Sequence, residues 1–112
     1  MNTAAVSTLQ YLDFHKLSID WTQVVRLEGK GNYTQFVFAD GKTHLYTKSL
    51  CVYEPHLPPH FVRVRKGCIV NFHFVKKLDT ENKRVFLTDN QEIRIARRRW
   101  MEVVSWFYSF LN

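Results

Sequence analysis

Turn-forming residues interrupt this chain so often that most of it reads as short strands. Gly29 and Gly31, Asp40-Gly41, Pro58-Pro59, Gly67 and Asp89-Asn90 punctuate the stretch from Val24 to Ile95. Val24 to Glu28 is a β-branched run ended by Gly29 and Gly31. Tyr33 to Ala39 resumes with Phe36 and Phe38 on one face, Asp40-Gly41 is a strong hairpin signal, and Thr43 to Thr47 is the return strand. Phe61 to Arg65 alternates, with Val62 and Val64 facing one way and Arg63 and Arg65 the other. Cys68 to Asn71 is apolar and reads as buried. Val75 to Leu78, Arg84 to Leu87 and Glu92 to Ile95 are further short strands, with Asp89-Asn90 turning between the last two. Upstream, Tyr11 to Ile19 alternates loosely, as one or two strands would. Strands at this spacing, joined by tight turns, specify a mainly β architecture.

Two segments depart from that period. In Lys48 to Leu57, the residues Leu50, Tyr53, Glu54 and Leu57 predict a short helix, closed or broken by Pro55 and then Pro58-Pro59. From Arg97 onward, Trp100, Val103, Val104, Phe107 and Leu111 recur at helical spacing. Met101, Trp106, Tyr108 and Phe110 widen that stripe to roughly 220°, against about 100° for an ordinary amphipathic helix. The centre of the arc is expected to pack on the sheet. Trp106 and Phe110, together on one flank, are expected to form a weak self-association or partner-binding surface. The alternative is that Leu9 to Phe14 folds back over that flank.

The chain has 112 residues, 46% of them apolar, which fits one globular domain spanning residues 1–112. It has no apolar run long enough to span a bilayer and no secretory signal at Met1 to Thr8. Cys51 and Cys68 set no disulfide framework and read as reduced core thiols of a cytoplasmic protein.

Charge is concentrated in the second half. Between Arg63 and Arg99 stand eleven Lys and Arg residues and four acids, a net of +7, while the whole chain carries +6. Arg63, Arg65 and Lys66 form one cluster, and Arg94, Arg97, Arg98 and Arg99 form another. Each adjoins an apolar run, so the cations sit on folded scaffold, the footprint of a polyanion binder. Cations at Arg97, Arg98 and Arg99 oppose the dipole of the helix that they begin, a cost that an external anion offsets. Arg65-Lys66-Gly67 reads as a tight basic loop suited to close approach to a phosphate backbone.

Other chemistries are poorly supported. Gly29-Lys30-Gly31-Asn32 lacks the third glycine and the following helix of a dinucleotide loop. It reads either as a plain hairpin connection or as a loop presenting Lys30, Asn32 and Tyr33 to a ligand. His56 and His60 are separated by Pro58-Pro59 and cannot share a helical face, and adding Cys51 and Cys68 matches no standard metal spacing. No local signature joins a nucleophile, a base and an orienting group. No catalytic residue, metal ligand or cofactor is assigned, and the chain is not read as an enzyme.

These residues together resemble the LytTR-type DNA-binding domain, the output module of many bacterial response regulators. The resemblance runs from about Val24 to Val104. It is carried by Val24 to Glu28 with Gly31-Asn32-Tyr33, by Asp40-Gly41, by Ser49-Leu50 and by Phe61 to Asn71. Val85 to Leu87, Asp89-Asn90 and Ile93 to Arg98 complete it. It implies an elongated, mainly β arrangement of short antiparallel strands with a short middle helix and a C-terminal helix. It also implies double-stranded DNA as partner, promoter direct repeats often bound by two copies, and loops rather than a recognition helix entering the grooves; a weak homodimer on DNA is the expectation drawn from the Trp106 and Phe110 flank. The family's base-contacting positions fall on Asn32 and Tyr33, on Arg65 and Lys66, and on Arg98 with Arg97 nearby. Arg65 stands where the family usually has His, and Ala96 where it usually has Ser. Phosphate contacts are expected from Lys48, Arg63, Arg65, Lys66 and Arg97 to Arg99. No receiver domain precedes the match, so the expected protein is a standalone regulator or the partner of a separate sensor or receiver. The competing reading is a small β adaptor domain that binds a protein through its aromatic C-terminal helix and touches nucleic acid nonspecifically.

Overall fold

The computed structural model describes residues 19–111. The strands expected before Ile19, and the Leu9 to Phe14 cover for the last helix, lie outside the described residues. The chain folds into two antiparallel sheets. β1 (Val24–Lys30), β2 (Tyr33–Phe38), β3 (Thr43–Thr47), β4 (Phe61–Arg65) and β5 (Cys68–Asn71) form a five-stranded sheet of order β3-β2-β1-β5-β4. β6 (Val75–Asp79), β7 (Arg84–Leu87) and β8 (Glu92–Arg94) form a three-stranded meander. The helices are a short α1 (Leu50–Tyr53) and a C-terminal α2 (Trp100–Leu111). The described residues extend 42 × 32 × 24 Å, an elongated body.

Each face of the larger sheet carries its own core. One face gathers Trp21, Val24, Leu27, Phe36 and Ile69 and is closed by Leu50 and Tyr53 of α1. The other gathers Val25, Val62, Val64 and Val70 and is closed by Val85, Leu87 and Ile93 of the smaller sheet and Val103 of α2. Strict alternation would put Val24 and Leu27 on opposite faces. A register shift between Val24 and Arg26 resets the period, so both reach the first core while Val25 reaches the second. That irregularity explains a run of buried residues from Val24 to Leu27, which a one-sided strand would not show.

Polar side chains fix the joints. Asp20 accepts from Thr22 N at 3.0 Å and starts the 3₁₀ turn that seats Trp21 in the core. Buried Asn71 donates to Val24 O at 2.9 Å and accepts from His73 N at 2.9 Å, which binds β5 to the start of β1 and caps the turn Phe72–Phe74. Tyr53 Oη donates to Thr47 O at 2.6 Å and ties α1 to the end of β3. Arg26, the one buried charged residue among the described residues, bridges Glu28 at 2.7 Å and Asp89 at 3.0 Å and so links the two sheets.

Two expectations are corrected. Cys68 is a buried core thiol, but Cys51 is exposed, because α1 turns Leu50 and Tyr53 inward and leaves Cys51 and Val52 outside. In α2 only Val103 is fully covered, and Trp100 and Phe107 pack at the edge. Leu111, expected at the centre of the packed arc, is 64% exposed. The smaller sheet already occupies much of that core face, so the far end of α2 has little left to pack on. Phe110 still rests on Phe72, with ring centroids 6.1 Å apart, and on His73 at 5.0 Å.

Candidate nucleic-acid interface

The strand register brings the basic loops to one end of the larger sheet. Lys30 pairs with Tyr33 and Tyr33 with Thr47, so the β1–β2 turn and the start of the β3–α1 connection lie side by side. Glu28 and Arg65 both pair with Cys68, which sets the β4–β5 turn at the same end. The two turns are bonded directly, Gly29 N to Gly67 O at 2.9 Å. With neighbouring strands about 4.8 Å apart, the loops from β3 to β4 cover about 19 Å across five strands.

Each loop is held by its own backbone chemistry. Gly31 at the tip of the first turn has φ 68°, a conformation costly for other residues. Lys48 adopts φ 87°, and its carbonyl accepts a 3.0 Å bond from the buried Thr34 hydroxyl. That bond holds the strained residue in place with its side chain on the surface. The third loop is pinned twice: Ala96 N donates to Val64 O at 2.8 Å, and Ile95 N donates to Lys83 O at 2.9 Å. The residues Arg97–Arg99 then form a 3₁₀ turn before α2. Ala96 occupies its N-cap with no side-chain bond, as expected where a serine hydroxyl is missing.

The candidate residues divide by what their charges meet. Asn32, Tyr33, Lys48, Arg65, Lys66, Arg97 and Arg98 are exposed along this end. Among the described residues, Arg65, Lys66, Arg97 and Arg98 form no ion pair with the protein. Lys30 lies 3.6 Å from Glu28 and Arg99 lies 3.8 Å from Glu102, so both are partly neutralised. Arg63 does something the sequence does not reveal. Its Nη1 reaches Glu54 at 2.5 Å, and its Nε and Nη2 donate to Lys66 O at 3.2 and 2.5 Å. With its side chain only 14% exposed, Arg63 clamps the second loop instead of facing outward. The bulge between Arg63 and Arg65 is the reason, since it turns the two arginines to different surroundings.

Sequence reasoning missed Lys83, and it counted Arg94 in the second basic cluster without assigning it a contact. Both stand beside Arg65 and Arg97 in a groove between the β6–β7 turn and the third loop. The outward position of Arg94 next to buried Ile93 was a readable signal, but its convergence with Arg65 depends on how the two sheets meet. Elsewhere the chemistry is quiet. Burial pushes the Cys68 thiol up to about 12, so it stays protonated and unreactive. Among the described residues, no group of three His, Cys, Asp or Glu side chains is placed to hold a metal. No helix among them is long and apolar enough to cross a membrane.

A line of loops with exposed cations, of which Arg65, Lys66, Arg97 and Arg98 form no ion pair among the described residues, is the surface of a nucleic-acid-binding β domain. The family model of the LytTr DNA-binding domain matches residues 15–107, and the chain belongs to that family. Its class of function is therefore DNA binding in transcription regulation. The fold is similar to that of the LytTr DNA-binding domain of a methyl-accepting/DNA response regulator from Bacillus cereus, with a TM-score of 0.66 and 22% identity over 86% of this chain and 87% of that one. No curated protein matches the chain.

Proposed function

We propose that this domain is a sequence-specific DNA-binding transcription regulator that reads promoter repeats through loops placed in the grooves. The observation that carries this reading is the alignment of Asn32 and Tyr33, Lys66 and Arg65, and Arg97 and Arg98 at one end of the sheet structure, tied by the Gly29–Gly67 and Ala96–Val64 bonds. Rigid loops with exposed donors are suited to base edges, and the surrounding cations set the register on phosphates. A neighbouring copy on the second repeat, and a separate sensor or receiver, complete the proposed assembly. The adaptor alternative has no such reason for uncompensated arginines on adjoining ordered loops.

The test is a random-pool binding selection with the purified chain, followed by competition. A sequence-specific reader retains its selected site against random DNA by a margin of roughly a thousandfold or more. No enriched sequence, or equal competition by random DNA, would refute the proposal.

A further inference from the structure

Beyond the three loops, a groove of about 510 Å³ lies between the β6–β7 turn and the third loop. Arg65 enters it from the end of β4, Lys83 from the β6–β7 turn, Arg94 from β8 and Arg97 from the turn before α2. Glu81 is the one acid on its wall. Among the described residues none of these four cations forms an ion pair, although neighbouring Arg84 pairs with Glu92 and Arg26 pairs with two carboxylates. The fold thus neutralises Arg84 beside the groove and leaves the four cations inside it without carboxylate partners.

The backbone is arranged at some cost to keep them there. Lys83 has φ 55°, unusual for a long side chain, and its carbonyl accepts the Ile95 bond that joins the groove's two walls. Arg94 stands directly across from Arg84 on the adjacent strand, a like-charge pairing that opposes sheet formation. Lys83 Nζ lies 5.6 Å from the centre of the Trp100 ring, which steadies the ammonium without neutralising it. Asp79, four residues before Lys83, accepts from Glu81 N, Asn82 N and Asn82 Nδ2, so its oxygens fold the turn.

We propose that this groove is a clamp for a DNA backbone phosphate flanking the bases read by the loops. Phosphate oxygens match the guanidinium forks of Arg65, Arg94 and Arg97 and the point charge of Lys83. DNA is favoured over a small free anion because Arg65 and Arg97 belong to both the groove and the loops, so a strand passing Arg98 continues into it. The inference rests on the DNA-binding reading above and deepens it. It also makes the footprint asymmetric. The groove lies past β4, one edge of the sheet order, so only one end of the bound duplex has this contact.

The experiment compares the full chain with the double variant Lys83→Asn plus Arg94→Gln. Asparagine tolerates the left-handed backbone of Lys83, and both side chains are exposed, so folding is checked simply by thermal melting. Affinity is measured on the selected duplex and on random DNA from about 50 to about 200 mM salt, and again on duplexes shortened from either end. The variant is expected to lose affinity equally on both sequences, with a log–log salt slope shallower by about two and an unchanged selected sequence. Shortening one end should weaken the wild type about tenfold and leave the variant unaffected. An unchanged slope, or equal loss by both proteins on shortening, would overturn the clamp. Saturable quenching of tryptophan fluorescence by pyrophosphate alone, with DNA affinity unaltered in the variant, would assign the groove to a small anion and overturn it as well. A wild type without sequence preference would refute promoter reading, while the slope comparison would still decide the groove.

Discussion

Replacing Arg63 with methionine keeps the aliphatic stem and removes the guanidinium fork. The fork makes one contact to Glu54 and two to Lys66 O, all between 2.5 and 3.2 Å. A charge-assisted bond is worth about 1.5–3 kcal/mol when well shielded, and exposed ion pairs contribute less than about 1 kcal/mol. Glu54 is 37% exposed, and water reaches both it and the turn once the fork is gone. The expected loss is therefore about 2 kcal/mol, well below the sum for three shielded bonds, and close to 10 °C in melting temperature. Thermal and urea unfolding followed by circular dichroism would measure it. The salt dependence of DNA binding, taken well below the melting temperature, separates the clamp from a phosphate contact. Affinity should fall only severalfold as the second loop loosens, with the salt slope unchanged. A slope shallower by about one, with melting temperature unmoved, would show Arg63 on a phosphate and refute the reasoning.

Arg98→Ala should cost about 1–3 kcal/mol on the selected site and relax one or two base positions, whereas Lys48→Ala should weaken all sequences alike; equal losses of specific and random binding in Arg98→Ala would remove its base-reading role. Burial, and then His73 with its ring 4.4 Å away, holds His60 below the ordinary 6.5. The stability linked to this group is complete above 6.5 and is lost as pH falls through the lower folded value, so melting temperature should drop on acidification from about pH 7.5 to about pH 5.5 and drop less in His60→Phe. An identical pH profile in that variant would exclude the linkage. Native alkylation should modify exposed Cys51 and spare Cys68 until the protein unfolds; simultaneous labelling of both would contradict the buried thiol. Trp106 is 36% exposed and Phe110 37%, but Phe110 also packs on Phe72, so Trp106→Ser alone is the cleaner probe of the proposed self-association surface. It should lower cooperativity on a two-repeat site at constant single-repeat affinity, and unchanged cooperativity would end that proposal.

The local part of this molecule was readable from residue order. Alternation placed β4 over Phe61–Arg65, the Asp40-Gly41 signal placed the β2–β3 hairpin, and the change to helical spacing placed α2. These are short-range effects, set by turn chemistry and side-chain period, so they need no knowledge of distant contacts. The basic loops were visible as charge beside apolar runs, and the resemblance assigned them to DNA. What each cation meets was decided by tertiary structure. Arg63 and Arg65 are neighbours on one strand, yet a bulge and the approach of Glu54 turn the first into a clamp and leave the second exposed. Lys83 carries no sequence signal of its own and Arg94 was visible only as a member of a basic cluster, and both reach Arg65 because the second sheet packs against β4. Leu111 fits the helical stripe and stays in solvent, because a stripe records which side of a helix is apolar and not how far the opposing surface extends. Periodicity is a property of adjacent residues, whereas neutralisation and burial depend on groups brought together across the chain. Residue order therefore specifies the elements and the sign of the surface, and the packing of the two sheets selects which charges remain for DNA.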